Sequence, residues 1–466
     1  MDYAEFLEHK AILAPPTGFE PRAPWPEAIK QFQRDITVWQ CRRGRSALFS
    51  ATGLGKTVNE LSWARQVIHH AQGQVIIFAP LAVAEQIVQV EAPKFGFNNV
   101  AYAQRHSTIS SPVVVTNYDR RDCFDLSQFA GIGLDESGII KDHDSRTRIE
   151  LTEAARGVPY LLCASATPAP NDWTELGQHS EFLGIMSAKE MLATFFVHDG
   201  SVRAGAEEDW RLKRHAESDF WQWVASWAVM IRHPRDIGYD EPGYDLPPLT
   251  IEQITVPAEY APTNEMLFPM EASTLQERIG ARKSSVSGRV ERAAAIVASA
   301  PEESWLVWCN LNSEADALVR AISGAVNVRG SDSIEHKTKT LLGFARGTPR
   351  VLVTKPTIAG RGMNWQHCNR MVFVGLNDSF ESLFQALRRC WRFGQMRPVR
   401  AYLLASELEG AVVANLQNKE RKYERMADAM VAQMKDLSAA AIHSARRPRT
   451  PYDPQIYMEA PPWLAA

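Results

Sequence analysis

Cysteine is scarce in this chain: Cys41, Cys123, Cys163, Cys309, Cys368 and Cys390 are scattered over 466 residues, with no C-x-x-C pair. No histidine stands at metal-ligand spacing from any of them. A disulfide framework and a zinc ribbon are thereby excluded. The six read as reduced core residues, as expected in a reducing cytoplasm. Also missing is any uninterrupted apolar run of the ~18 residues that a membrane helix requires. The start, MDYAEFLEHK, is acidic and carries no apolar run behind a basic end, so it reads as no signal peptide. Nor does one sign of charge dominate: 51 Lys and Arg face 54 Asp and Glu, for a net charge of −3. Binding of a polyanion by bulk attraction is excluded, and only local basic patches could serve. No short-period repeat is present, which excludes a solenoid.

What is present is an alternation. Its length predicts two to three domains. In the first third, residues 47–50, 74–80, 113–118, 132–136 and 160–165 are short apolar runs bounded by Gly, Pro or polar residues. They read as buried strands. Segments 56–71 and 82–95 carry helical spacing between them. Strand and helix in alternation predict an α/β fold with a parallel sheet, whose functional residues gather at the carboxyl ends of the strands. Residues 187–228 read as a helical insertion rich in Trp (Trp210, Trp221, Trp223, Trp227), with the rings in helix packing rather than stacked on bases. Residues 233–248, dense in Pro, Gly and Asp, read as a linker. A second alternating series follows, with strands at 305–310, 326–329, 350–354, 370–374 and 399–404 and helices at 313–322 and 335–345. The expected division is an extension (1–30), a first lobe (31–235), a linker (236–250), a second lobe (251–411), a helical segment (412–445) and a disordered tail (446–466).

The most specific feature is Ser50-Ala51-Thr52-Gly53-Leu54-Gly55-Lys56-Thr57, set between an apolar strand and a helix. Gly53 and Gly55 let the backbone fold tightly, so that the N–H groups of Thr52, Gly53, Leu54 and Gly55 converge on phosphate oxygens. The following helix aims the positive end of its dipole at the same anion. Lys56 supplies a charge for the β- and γ-phosphates, and the Thr57 hydroxyl is placed to ligate Mg²⁺. Ser50 stands where the strict pattern has Gly, which excludes a typical small-GTPase loop. Asp135 and Glu136 end a strand of the same series. The first is the expected second Mg²⁺ holder, and the second the acceptor of a proton from the attacking water.

The order of motifs resembles the superfamily 2 helicases, and among them the Swi/Snf-like DNA translocases in a compact bacterial or phage form. Asp135-Glu136-Ser137-Gly138 resembles the DEAH-type box, with Ser-Gly in place of Ala-His. Ser165-Ala166-Thr167-Pro168, with Asn171 following, resembles the coupling motif, and Phe78-Ala79-Pro80 with Glu91 a segment that meets DNA. Ala359-Gly360-Arg361-Gly362-Met363-Asn364 resembles A-G-G-x-G-x-N, with Arg361 for the second Gly. The segment from Gln385 to Gln395 is similar to Q-A-x-x-R-x-x-R-x-G-Q. The resemblance spans about residues 33 to 402. It implies two tandem RecA-like parallel-sheet lobes with an ATP site in the interlobe cleft, and ATP with Mg²⁺ as cofactors. It also implies a nucleic-acid partner, most simply double-stranded DNA held by its backbone. By the same resemblance Arg389 and Arg392, three apart on a helix, would be arginine fingers. Gln33 would read adenine, and Gly360 would border the nucleotide. Thr116, Thr354, Arg361, Asn364 and Arg388 would meet the nucleic acid. Two basic stretches, Arg388, Arg389, Arg392, Arg397 and Arg400, and Arg278, Arg282, Lys283, Arg289 and Arg292, would add sequence-independent phosphate contacts. The nucleotide motifs leave open an RNA-dependent ATPase, and a slow nucleotide-gated clamp acting with a partner.

Overall fold

Parallel strands covered on both faces read as unbroken apolar runs, and the runs of the first third do form the middle of one sheet. The computed structural model describes residues 13–141, 145–170, 172–198, 210–257, 285–359, 363–375, 380–407 and 410–446. Helix α1 (Gln31–Arg43) leads into β1 (Arg45–Ser50), and α2 (Lys56–Ala71) follows the loop after it. Then come β2 (Val75–Ala79), helix α3 (Leu81–Gln86), β3 (Val100–Tyr102), β4 (Val113–Asn117), β5 (Gly131–Asp135) and β6 (Tyr160–Ser165). With β9 (Ala228–Ile231) they make a seven-stranded sheet in the order β3-β4-β2-β5-β6-β1-β9, parallel throughout. β5, β6 and β1 are neighbours, so the carboxyl ends that carry Asp135, Ser165 and Ser50 lie side by side.

The second sheet contains β10 (Leu249–Val256), β11 (Trp305–Trp308), β12 (Ala325–Asn327), β13 (Val351–Thr354), β14 (Arg370–Phe373) and β15 (Val399–Ser406). Its order is β10-β15-β14-β11-β13-β12, again all parallel. Helix α4 (Phe380–Leu387) lies between β14 and β15. At its heart Arg289 pairs with Glu314 at 2.8 Å, both side chains wholly buried, and Arg289 also donates to the Val374 carbonyl. Arg289 was expected in a basic surface patch; it is instead a core ion pair that ties the ends of β11 and β14 together. Arg278, Arg282 and Lys283 lie outside the described residues.

Three expectations need correction. The 187–228 insertion is not helical throughout: helices Ala188–Phe195 and Glu217–Ala225 flank an antiparallel ribbon of β7 (Phe196–His198) and β8 (Trp210–Leu212), and Ala228 already belongs to β9. Its tryptophans do pack: Trp221, Trp223 and Trp227 are buried, and Trp223 meets Trp227 edge-on at 5.4 Å. The 236–250 linker is folded. A short turn (Pro234–Ile237) ends in left-handed Gly238, Arg235 pairs with Asp245 at 2.9 Å, and the Tyr239 hydroxyl donates to Asp35 at 2.6 Å. Within it β10 begins at Leu249, pairing with β15 over eight residues. Being an edge strand with mostly exposed residues, β10 lacks the apolar run that betrays a central strand.

The last helix, α5 (Gly410–Arg446), is longer than the predicted 412–445 segment by two residues at one end and one at the other. It leaves the second lobe and returns to the first, burying Met426, Met430, Met434 and Ile442. His443 stacks on Tyr239 at 5.6 Å, and Arg232 pairs with Asp428. The tail after residue 446 lies outside the described residues, and among the described residues no helix is long and apolar enough to cross a membrane.

Candidate active site

The loop between β1 and α2 owes its shape to two glycines in the left-handed region, Gly53 at φ 99° and Gly55 at φ 89°. A side chain on either would also collide: a Cβ on Gly55 would lie 2.3 Å from Gln33 Nε2, and one on Gly53 2.7 Å from the backbone nitrogen of Phe393. The second contact comes from the other lobe, so the absence of a side chain at Gly53 serves both the turn and the close approach of Phe393. No side chain caps the first turn of the 16-residue α2. Its first N–H groups therefore face the loop, as an anion would require. Lys56 Nζ donates to the Ser50 carbonyl at 3.1 Å. Burial lowers its pKa, while the charges of Glu136, Asp135 and Glu60 oppose the shift. The Thr52 hydroxyl is buried without a protein partner.

Asp135 closes β5, and burial followed by the charge of Glu136 pushes its carboxyl up to about 7, against Lys56 and Arg389. Its carbonyl accepts from the Tyr118 hydroxyl at 2.7 Å. Glu136 is buried and holds φ 56° and ψ 50°, a left-handed conformation that costs a non-glycine residue about 1–3 kcal/mol. Neither Tyr118 nor this strain is legible in a DE pair. Also missed was Glu60, a buried acid on α2 beside Asp135, whose carboxyl burial and the Asp135 charge raise well above the usual range. Its only sequence signal is an acid in an otherwise inward-facing stretch of helix.

From the second lobe come Arg389 and Arg392. They do not share a helical face as predicted, because α4 ends at Leu387 and both lie in the turns beyond it. Both nevertheless donate to the Met363 carbonyl, each at 3.2 Å. Arg389, 1% exposed, also donates to Gln385 O at 2.9 Å and Gln385 Oε1 at 3.1 Å. Burial, then the neighbouring Arg392, pulls its pKa down to about 10. Arg392 is half-buried and lines the cleft with Lys56, Thr57, Asp135 and Glu136, its Nε without a partner. Both line the cleft; Arg389 is the more deeply buried and makes three hydrogen bonds within its own lobe, and Arg392 makes one.

Gln33 borders the same cleft, with Nε2 donating to Leu54 O at 2.9 Å and Oε1 accepting from Lys30 N at 3.0 Å. One N–H and one lone pair remain, the complementary pair that an adenine edge needs. Two further residues had no sequence signal. Tyr244 of the folded connector stacks on Phe393 at 4.4 Å, and both line the cleft. Across the gap Gln385 Nε2 donates to the Thr167 hydroxyl at 3.3 Å, and the Thr338 hydroxyl donates to Glu85 on α3.

The expected nucleic-acid residues fare differently. Asn364 lines the cleft with Oδ1 unpaired. Thr116 and Thr354 are both 0% exposed, the latter donating to Val328 O at 3.3 Å. Both hydroxyls are thus buried in this structure, and that of Thr116 has no protein partner. Arg388 is buried as well, its guanidinium 4.3 Å from the centre of the Trp391 ring and 5.0 Å from that of Phe384. Gly360, Arg361 and Asn171 lie outside the described residues.

Residues 288–394 match the family described as the helicase conserved C-terminal domain. No curated protein matches the chain. Among solved structures the chain is similar to the SWI2/SNF2 ATPase core of Sulfolobus solfataricus in complex with double-stranded DNA, at 16% identity over 92% of this chain and 98% of that one, with a TM-score of 0.41. It is also similar to Dbp5 of S. cerevisiae bound to RNA and ADP BeF3, at 11% identity over 87% of this chain and 93% of that one, with a TM-score of 0.55. At such identity the likeness to Dbp5 is one of fold: two parallel-sheet lobes of the RecA type. The second lobe thus carries a helicase conserved C-terminal domain over residues 288–394, within a fold of two RecA-like lobes around a phosphate loop.

Proposed function

We propose that the chain is an ATP-dependent DNA translocase that hydrolyses ATP in the interlobe cleft and converts closure of the cleft into movement along the DNA backbone. The observation that carries this reading is the single cleft in which Lys56, Thr57, Asp135 and Glu136 of one lobe face Arg392 of the other.

The phosphates of ATP would lie in the loop 51–55, against the N–H groups of α2 and the Lys56 ammonium. Thr57 and Asp135 offer hard oxygen donors, the chemistry that suits Mg²⁺. The Asp135 carboxyl, raised by burial, is a group that a cation would return to its charged form. When bound, Mg²⁺ supplies neutralising charge to the β- and γ-phosphate oxygens. Glu136 accepts a proton from water as the water oxygen bonds to the γ-phosphorus, and the bond from that phosphorus to the ADP oxygen breaks. Arg392 then faces the charge that spreads over the departing phosphoryl group. Arg389 holds the Arg392 turn through their shared carbonyl acceptor, Met363. Gln33 takes the adenine edge.

Closure is supported by contacts that only a closed cleft can make: Phe393 on Gly53, Gln385 on Thr167 and Thr338 on Glu85. Their making and breaking would alternate the grip of the two lobes on one strand. The preference for DNA rests on the Swi/Snf-like motif from Gln385 to Gln395, and the assignment of Asn364 to the nucleic acid rests on the resemblance of residues 359–364. A second reading, an RNA-dependent ATPase, draws on the fold shared with Dbp5, whose solved structure is bound to RNA. A cytoplasmic place of action accords with the six unpaired thiols. The deciding measurement compares ATP hydrolysis with no nucleic acid, duplex DNA, single-stranded DNA and RNA. Stimulation by duplex DNA, together with displacement of a triplex-forming strand, is the expected result. Stimulation by RNA alone moves the chain to the second reading. Tight DNA binding without stimulation would make it a clamp.

A further inference from the structure

The strained turn at Glu136 is gripped on both sides. On the side before it, the Tyr118 hydroxyl holds the Asp135 carbonyl. On the side after it stands Ser137, wholly buried, which opens the short turn Ser137–Ile140. The Ser137 hydroxyl lies 3.1 Å from Nε2 of His179, on the helix Leu176–Phe182. His179 is 0% exposed, and its ring meets Phe49 edge-on at 5.2 Å and 79°. Phe49 is the last residue but one of β1, directly before the phosphate loop. The imidazole thus touches β1 through Phe49 and the turn that follows β5 through Ser137.

Such a histidine can be an ordinary core residue, and its placement argues for more. An apolar side chain would pack against Phe49 without the desolvation that a buried imidazole entails. Burial lowers the His179 pKa to about 4, so the ring is neutral and offers a hydrogen bond rather than a charge. The residue next to its partner holds a backbone conformation that persists only when its surroundings over-determine it. We propose that His179 is a positioning residue for hydrolysis: through Ser137 it holds Glu136 in its left-handed conformation, and through Phe49 it keeps that carboxylate in register with the phosphate loop. This rests on the reading of Glu136 as the proton acceptor.

The test uses the full chain with four variants, His179→Leu, His179→Asn, Ser137→Ala and the double variant His179→Leu/Ser137→Ala, and Glu136→Gln beside them. His179→Leu keeps the bulk and removes the hydrogen bond, and His179→Asn restores a polar partner. The expected result for His179→Leu and Ser137→Ala is a kcat lowered about tenfold to a hundredfold, the range that a misplacement of about 1 Å produces. ATP KM and binding of a fluorescent ATP analogue should stay within about twofold, since only the transition state loses an interaction. The double variant should be no slower than either single one, because both remove the same bond. His179→Asn should recover much of the rate. If His179→Leu and Ser137→Ala both hydrolyse ATP at the wild-type rate while Glu136→Gln is inactive, the positioning role is overturned and the assignment of Glu136 stands. If Glu136→Gln itself keeps its rate within about twofold, the reading of the base falls, and this proposal falls with it. Should His179→Leu fail to fold, Ser137→Ala decides alone.

Discussion

On the first-lobe face of the cleft the functional groups are set by backbone. Lys56 and Thr57 start a helix after two left-handed glycines, and Asp135 and Glu136 sit at the tip of a central strand. On the second-lobe face they are set by side-chain bonds. Arg389 and Arg392 lie past the end of α4, and what holds them is a shared carbonyl acceptor and the Gln385 amide. Gln385 in turn reaches Thr167 across the gap. The first face is therefore set within its own lobe, and the second, also braced within its lobe, carries in addition one side-chain bond across the gap. Removing the phosphate-binding Lys56 from the first should damage binding as well as chemistry, whereas removing Arg392 from the second should damage chemistry alone.

The largest break of that comparison is Lys56→Ala. Phosphate release should fall to the detection limit, and a fluorescent ATP analogue should bind more weakly, because the main charge against the phosphates is gone. Wild-type turnover in the purified variant would remove the whole assignment. Next comes Arg392→Ala, which should cost about 10³–10⁵ in rate while leaving analogue affinity nearly intact, with the deficit greatest in the presence of duplex DNA. Arg389→Ala sharpens the contrast. It strips three hydrogen bonds from a buried network, so a lower rate should come with about 2–3 kcal/mol lost from unfolding stability, which Arg392→Ala should not show.

A fourth prediction tests how firmly packing sets the first face. Burial lowers the His179 pKa from 6.5 to about 4, so the folded chain resists a proton that the unfolded chain accepts. The stability this confers is whole above pH 6.5 and is lost as pH falls towards 4, by about 3 kcal/mol at the lower end. Denaturant melts of wild type and His179→Leu should differ in slope across that window and run parallel above it. The smallest effect is expected for Thr167→Val, which removes the acceptor of the interlobe bond. Losing about 1 kcal/mol of closure should lower DNA-stimulated hydrolysis about fivefold and leave the basal rate unchanged. An equal drop in both rates would mean that the bond does not report closure.

The legible parts of this molecule are those that local chemistry dictates. Helix α2 begins and ends where the loop and its spacing predict, at Lys56 and Ala71, because a tight glycine turn after an apolar strand leaves the chain few alternatives. Central strands were legible because both faces are covered. β10 was not, since an edge strand of alternating Thr, Glu and Gln looks like connector. Thr116 and Thr354 sit on the strands where they were expected, yet position along a strand says nothing about which side a hydroxyl faces. Tyr244, Glu60 and His179 come to the site from segments distant in sequence or without a motif, and only the packing of one element on another shows them. The helical face predicted for Arg389 and Arg392 failed because α4 stops two residues before the first of them.

Helix α5 gives the molecule a second tie between its lobes. The first is the folded connector after β9; the second is a helix of 37 residues, about 55 Å long, that starts beside β15 and ends against α1 and β9. Both ties meet on one side of the first lobe, where His443 stacks on Tyr239. A lid fastened at one point can swing in any direction, whereas one fastened at two turns about the line between them. On the proposed opening and closing of the cleft, two ties would confine the second lobe to a stroke with a defined axis, and Arg392 would sweep the same arc towards Glu136 in every cycle.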